Sequence, residues 1–251
     1  LAAAVCEVTA AVCETAESSV TPSRGDYLSM TVYEPMGVVA AITPWNSPLT
    51  MEAQKLAPAI AAGNAIVLKP SEVTPSPALD LGRICLDAGL PPGIVNVLPG
   101  TGREAGMAIV KHPGVKMVSF TGGTNTGRAI AAIAAEKLMP VALELGGKSP
   151  HIVFADADLK AAVAQIIGGI FMSSGQSCVA GSRLFVQRAV YHQLMSLLQE
   201  KSRELKVDMP DAAGAQIGPM GSFSHRDRVE AFVAQGRGEG GEIVFGGERP
   251  K

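Results

Sequence analysis

The sequence predicts an α/β protein: a doubly wound parallel sheet followed by part of a second α/β unit. Three observations predict it. From Gly37 to Leu145, short apolar runs alternate with longer amphipathic ones. The links between them are short, as expected for parallel strands joined by right-handed crossovers. Runs such as Val38–Ile42 and Ala65–Leu68 are continuously apolar, as strands covered on both faces are.

Each element has its own signal. Ala2 to Ser18 reads as the end of a helix, Thr21 to Asp26 as a turn cluster, and Tyr27 to Tyr33 as an alternating, exposed strand. Strands are then expected at Val38–Thr43, Ala65–Leu68, Ile94–Leu98, Val115–Phe120 and Val141–Leu145. Helices are expected at Thr50–Ala62, Pro77–Ala88, Arg103–Lys111 and Thr126–Leu138. Gly63 and Gly89 suit left-handed helix ends, and Pro77 suits a first helical turn. The second unit starts near Gly146. It should hold a strand (His151–Phe154), an apolar helix (Leu159–Met172), a Gly/Ser loop (Ser173–Ser182), a strand (Arg183–Gln187) and two polar helices. Glu242–Phe245 reads as a last strand with nothing to pair it, so the second unit is expected to be incomplete. The domain reading is therefore 1–36, 37–145 and 146–251.

Composition narrows the function. Of 251 residues, 47% are hydrophobic and 18% charged, enough apolar material for a sizeable core. A net charge of −2 gives no electrostatic case for nucleic acid or anionic membrane. The apolar stretch from Ala161 is too short and too polar at its end to span a bilayer. None of the four cysteines forms a CxxC pair, so no metal site is expected, and they read as reduced thiols of a cytoplasmic protein.

Five stretches could carry chemistry. Phe120-Thr121-Gly122-Gly123-Thr124-Asn125-Thr126-Gly127 runs from a strand through a glycine turn into a helix, where free N–H groups suit a pyrophosphate. Its spacing is not GxGxxG, and a plain tight turn explains it as well. Lys69-Pro70-Ser71-Glu72 follows a buried strand, where doubly wound folds place ligands; a solvated turn is the alternative. Cys178 sits among small polar residues in Ser174-Gly175-Gln176-Ser177-Cys178, which argues against an inert core thiol. Glu144 interrupts the apolar run Val141–Leu145, where a carboxylate is costly unless paired or functional; an exposed strand tip is the other reading. Asn46 in Thr43-Pro44-Trp45-Asn46-Ser47-Pro48 could donate to an oxyanion or merely shape a Pro-rich turn.

Taken together, these residues resemble the aldehyde dehydrogenase superfamily. Thr43-Pro44-Trp45-Asn46, Lys69-Pro70-Ser71-Glu72, Phe120-Thr121-Gly122-Gly123, Glu144-Leu145-Gly146-Gly147-Lys148 and Gly175-Gln176-Ser177-Cys178 are similar to five family motifs, in the family's order. The resemblance runs from about Val20 to the end. It implies a Rossmann-like cofactor domain, a catalytic domain and an oligomerisation hairpin, of which Thr21–Tyr33 would be part, in a homodimer or homotetramer.

The resemblance also implies roles. Cys178 would attack the aldehyde carbonyl as thiolate. The Asn46 side chain and the Cys178 N–H would hold the oxyanion, and Glu144 would activate water to hydrolyse the thioester. Lys55 would help relay protons. Lys69, Ser71 and Glu72 would meet the adenosine ribose of NAD, the Glu72 carboxylate disfavouring the 2′-phosphate of NADP. Thr43, Pro44, Trp45, Phe120, Thr121, Gly122, Gly123, Gly127, Leu145 and Gly146 would complete the cofactor site. The chain departs from the family in three places. Gly123 stands where many relatives carry Ser. Ser47, Gln54 and Met172 replace tunnel aromatics, which implies a polar aldehyde substrate. The later Glu-x-Phe-Gly-Pro motif is absent, so the chain is expected to be part of a longer protein with little turnover alone. A cofactor-independent thiol esterase and a non-catalytic piece of the fold are the rival readings.

Overall fold

The computed structural model describes residues 1–249. It divides into two compact units, Leu1–Leu145 and Gly146–Lys251.

The first unit opens with helix α1 (Ala2–Glu14) and an antiparallel pair, β1 (Val20–Arg24) and β2 (Tyr27–Met30). The turn cluster read over Thr21–Asp26 is thus corrected: Thr21 to Arg24 form a strand, and only Gly25 and Asp26 turn. Gly25 has φ +67°, the left-handed value a two-residue hairpin turn needs.

A five-stranded parallel sheet follows, built from β3 (Val38–Ile42), β4 (Ala65–Lys69), β5 (Val95–Val97), β6 (Val115–Gly122) and β7 (Val141–Leu145). Its order is β5-β4-β3-β6-β7, and every pairing is parallel. Four helices connect the strands: α2 (Pro48–Ala61), α3 (Ser76–Asp87), α4 (Met107–Lys111) and α5 (Thr124–Glu136). The doubly wound expectation therefore holds. The stretch Arg103–Lys111 is not one α-helix, however; a π-turn over Gly102–Gly106 precedes the single turn of α4. Gly63 and Gly89 do take positive φ, 75° and 91°.

Two cores cover the two faces of this sheet. Ala40, Ile42, Val118 and Phe120 pack with Val110, Ile130 and Ala134 on one face. Ala41, Ile66 and Leu68 pack with Leu56, Ala59, Ala78 and Cys85 on the other. Side chains alternate along a strand, so the assignment of every sheet residue to a face follows from these few. Leu68 and Ile66 are fully buried; truncating either to Ala would cost about 2–5 kcal/mol.

In the second unit, β8 (Pro150–Val153) and β9 (Arg183–Val186) form a parallel pair. Helices α6 (Leu159–Phe171) and α7 (Tyr191–Arg203) cover it through Val153, Val163, Ile166 and Leu194. Asp158 caps α6 by accepting from the Lys160 and Ala161 N–H groups. Helix α8 (Phe223–Gly238) follows. The strand expected at Glu242–Phe245 is corrected: that stretch is irregular. No helix among the described residues is long and apolar enough to cross a membrane.

Candidate active site

The strand order positions the first half of the site. The chain winds outward from β3 through β4 to β5, then returns to β6 on the other side of β3. The loops leaving β3 and β6 therefore diverge to opposite faces, and ligands of such sheets bind in the crevice beyond that switch point. The loop after β3 carries Thr43, Pro44, Trp45 and Asn46. Strand β6 ends at Gly122, and Gly123 follows as the turn into α5. The topology thus sets two of the predicted motifs on the two sides of one crevice.

The glycine turn suits an anion. Gly123 is the N-cap of α5, and no side chain caps that helix end. Its first N–H groups have no acceptor within the helix, and the helix dipole adds partial positive charge. A Cβ on Gly123 would meet nothing within 4 Å, so the glycine leaves open space in front of the helix. Gly127 has a different reason. A Cβ there would come within 2.6 Å of Leu145, so Gly127 lets α5 lie close to β7. Gly122 likewise clears the Phe120 ring.

At the end of β4, Lys69 is 2% exposed. Its ammonium donates to the Pro70 carbonyl at 2.6 Å and the Gly100 carbonyl at 2.8 Å, and lies 3.7 Å from the Glu72 carboxylate. Burial lowers its pKa, and Glu72 works against that shift. Glu72 itself is exposed. Ser71 is buried and accepts from the Val73 N–H.

The alternation of the strands gathers a second polar set. Leu143 and Leu145 pack on the α5 side, so Glu144 faces the α2 side. Ser119 and Thr121 of β6 share that face. Thr121 and Glu144 are registered neighbours. From α2, the Lys55 ammonium donates to the Ser119 hydroxyl at 2.9 Å. Burial pushes the Lys55 ammonium down to about 8, and the Glu144 charge pulls part of the way back. The structure thus brings Lys55 and Glu144 together. It corrects the surroundings inferred for Glu144, which is exposed on the edge strand β7 and not enclosed in apolar surroundings.

One buried group escaped the sequence reading. Glu52, on α2, is 0% exposed, and neither carboxylate oxygen has a hydrogen-bond partner. Burial alone pushes its pKa up to about 7. The signal was present: Glu52 shares the helix face of Leu56 and Ala59, a position where helical periodicity calls for an apolar side chain.

Cys178 belongs to the second unit, on an exposed loop. Three successive left-handed residues carry the chain there from α6: Ser173 (φ 53°), Ser174 (φ 57°) and Gly175 (φ 73°). For the serines this is a strained conformation. Ser174 is held by a pair of bonds, its hydroxyl donating to the Gly218 carbonyl at 3.1 Å and accepting from the Gly218 N–H at 3.0 Å. Gln176 accepts from the Gly221 N–H at 2.8 Å. Gly147 passes close on the other side, where a Cβ would lie 3.0 Å from the Cys178 carbonyl oxygen. Gly146 and Met172 are exposed. Among the described residues, no group of His, Cys, Asp and Glu could hold a metal ion.

The chain as a whole is similar to known proteins. The chloroplastic betaine aldehyde dehydrogenase of Atriplex hortensis is 42% identical over 225 residues, covering 90% of this chain and 45% of that protein. Human retinal dehydrogenase 2 is 42% identical over 228 residues, again 90% of this chain and 44% of that protein. The NAD+ complex of an aldehyde dehydrogenase from Bacillus cereus superposes with a TM-score of 0.94 at 41% identity, covering 97% of this chain and 50% of that one. The chain spans about half the length of the relatives it matches. The profile of the aldehyde dehydrogenase family matches residues 1–251, and the chain belongs to that family.

Proposed function

We propose that the protein oxidises an aldehyde to a carboxylic acid with NAD+, through a thioester on Cys178. The observation that carries this reading is that Lys55, bonded to Ser119, and Glu144 share one face of the sheet, beside a crevice where the glycine turn forms an uncapped helix N-terminus. The crevice fits a dinucleotide. The α5 N-terminus and the open space at Gly123 suit a pyrophosphate, and Lys69 and Glu72 stand one strand away, at the end of β4, for a ribose. Thr43 and Phe120 are buried at the strand ends beside it, Phe120 in the core under α5. Several solved relatives contain NAD+.

In this reading, the Cys178 thiolate adds to the aldehyde carbonyl and forms a thiohemiacetal. The Asn46 amide donates to the resulting oxyanion. NAD+, which the α5 N-terminus, Lys69 and Glu72 would hold, would supply the acceptor for the hydride that the adduct loses as it becomes a thioester. Glu144 then takes a proton from water, which attacks the thioester carbonyl and releases the acid and the thiol. Lys55, able to lose its proton near pH 8, passes protons from this face. Ser47 at the start of α2, exposed Gln54 and Met172 favour a polar aldehyde. Four free thiols fit a reducing, cytoplasmic setting, and the β1–β2 pair fits a homo-oligomer contact.

The test is aldehyde-dependent NADH formation by the purified full-length protein across a panel of polar and simple alkyl aldehydes. Wild type should turn over polar aldehydes best, and Cys178→Ala should lose at least about 10³-fold in kcat. Full activity in Cys178→Ala, or highest kcat/KM for long unsubstituted alkanals, would contradict the corresponding part of the reading.

A further inference from the structure

His151 stands apart from everything assigned so far. It lies on β8, at a core-facing position two residues before buried Val153. Its ring fills the space between two glycines. A Cβ on Gly169 of α6 would come within 2.8 Å of the His151 Cε1, and a Cβ on Gly181 within 1.8 Å of its Nε2. Neither glycine has positive φ. Backbone conformation therefore does not require glycine at either place, but the imidazole does. The two glycines are joined directly, the Gly181 N–H donating to the Gly169 carbonyl at 3.1 Å.

Gly181 lies three residues after Cys178, on the segment that leads into β9. That segment is tied to the start of β8 by the Arg183 N–H, which donates to the Ser149 carbonyl at 3.2 Å. At the Cys178 end, Gly147 meets the Cys178 carbonyl. The stretch 147–151 thus grips the nucleophile segment at both ends, with the glycine at one and the imidazole at the other. The His151 Nε2 is buried and has no hydrogen-bond partner. A buried nitrogen without a partner costs free energy that an apolar ring at the same place would avoid. Ordinary core packing therefore does not account for histidine here.

We infer that His151 is a positioning residue for Cys178: its ring is the post against which Gly169 and Gly181 close, and it sets the conformation of the loop that presents the thiol. The inference rests on Cys178 being the nucleophile, but the loop geometry can be read without turnover.

The experiment follows alkylation of each cysteine by iodoacetamide in the purified protein, as a function of pH, with peptide mass spectrometry. Cys6 and Cys13 are exposed on α1 and serve as internal references. In His151→Ala, the rate at Cys178 relative to Cys6 should change at least about threefold, and kcat should fall about 10- to 100-fold with a smaller change in KM. Gly181→Ala alone should act in the same direction. The double variant His151→Ala/Gly181→Ala should recover most of the loss, because the added methyl then occupies the vacated space. If the relative rate at Cys178 is unchanged in folded His151→Ala, or if the two substitutions are additive, the inference is overturned. If full-length wild type forms no NADH while the alkylation cycle behaves as expected, the dehydrogenase reading fails and the positioning role stands.

Discussion

The two units hold their candidate residues in different ways. In Leu1–Leu145, the polar groups sit at strand ends, and the pairing register decides which face each one takes. Thr121 and Glu144 are neighbours because β6 and β7 are paired in that register, and Lys55 reaches Ser119 because α2 lies over that face. In Gly146–Lys251, Cys178 sits on a loop. Its path depends on left-handed Ser173 and Ser174, on the hydrogen bonds of Ser174 and Gln176, and on glycines that clear single neighbours. A sheet distributes positional control over many backbone bonds. A loop concentrates it in a few side chains, so single changes there should propagate further.

The first expected effect sharpens the sheet side of that contrast. Asn46→Ala should lower kcat about 10²- to 10³-fold, as removal of one oxyanion donor does. Thermal stability should change by less than about 1 kcal/mol, since the loop between β3 and α2 is anchored by the strand and helix around it. A loss of activity that only follows unfolding would break the contrast.

Glu52 tests the interior of the same unit. Its folded pKa, about 7, lies above the ordinary 4.5. The neutral form is therefore favoured on folding. Its stabilising effect is complete below pH 4.5 and is lost as pH rises through 7. The shift corresponds to about 3 kcal/mol. Glu52→Gln should remove this dependence and make the protein more stable than wild type at pH 8, measured by chemical denaturation at pH 5 and pH 8. An unchanged pH dependence in the variant would show that Glu52 finds a partner.

Lys55 has the opposite sign. Burial lowers it to about 8, so its protonated form is disfavoured on folding. Stability present above pH 10.5 is lost as pH falls through 8. NMR titration of the Lys55 side chain should show a midpoint near 8, moving lower in Glu144→Gln, where the carboxylate charge is gone. A midpoint unmoved by that substitution would separate the two residues. The smallest expected effect is at Glu72. Glu72→Gln should raise the NADP-to-NAD ratio of kcat/KM roughly tenfold, by removing a like charge from the 2′-phosphate. An unchanged ratio would remove Glu72 from cofactor selection.

The sheet was legible because buried parallel strands read as unbroken apolar runs, and four of the five motifs were legible because each sits where a strand ends; the fifth, Gly175–Cys178, lies in the loop after α6 and stood out by its small polar residues. Local patterns served less well elsewhere. Thr21-Pro22-Ser23-Arg24 has turn composition yet forms β1, because cross-strand pairing to Tyr27–Met30 outweighs local preference. Glu242–Phe245 has strand composition yet stays irregular. Glu144 looked buried because its neighbours are apolar, but β7 is an edge strand and alternate residues face outward. His151 gave no local signal at all, since its role comes from Gly169 and Gly181, 18 and 30 residues further along the chain.

The central claim is that Cys178 carries the acyl group and Glu144 releases it. The most direct measurement is mass spectrometry of the Glu144→Gln protein after mixing with aldehyde and NAD+. General-base loss should slow hydrolysis about 10²- to 10⁴-fold, so the acyl group should accumulate on the peptide containing Cys178, alongside a burst of NADH. NADH formation with no adduct on that peptide, or an adduct on Cys6, Cys13 or Cys85 instead, would contradict the account.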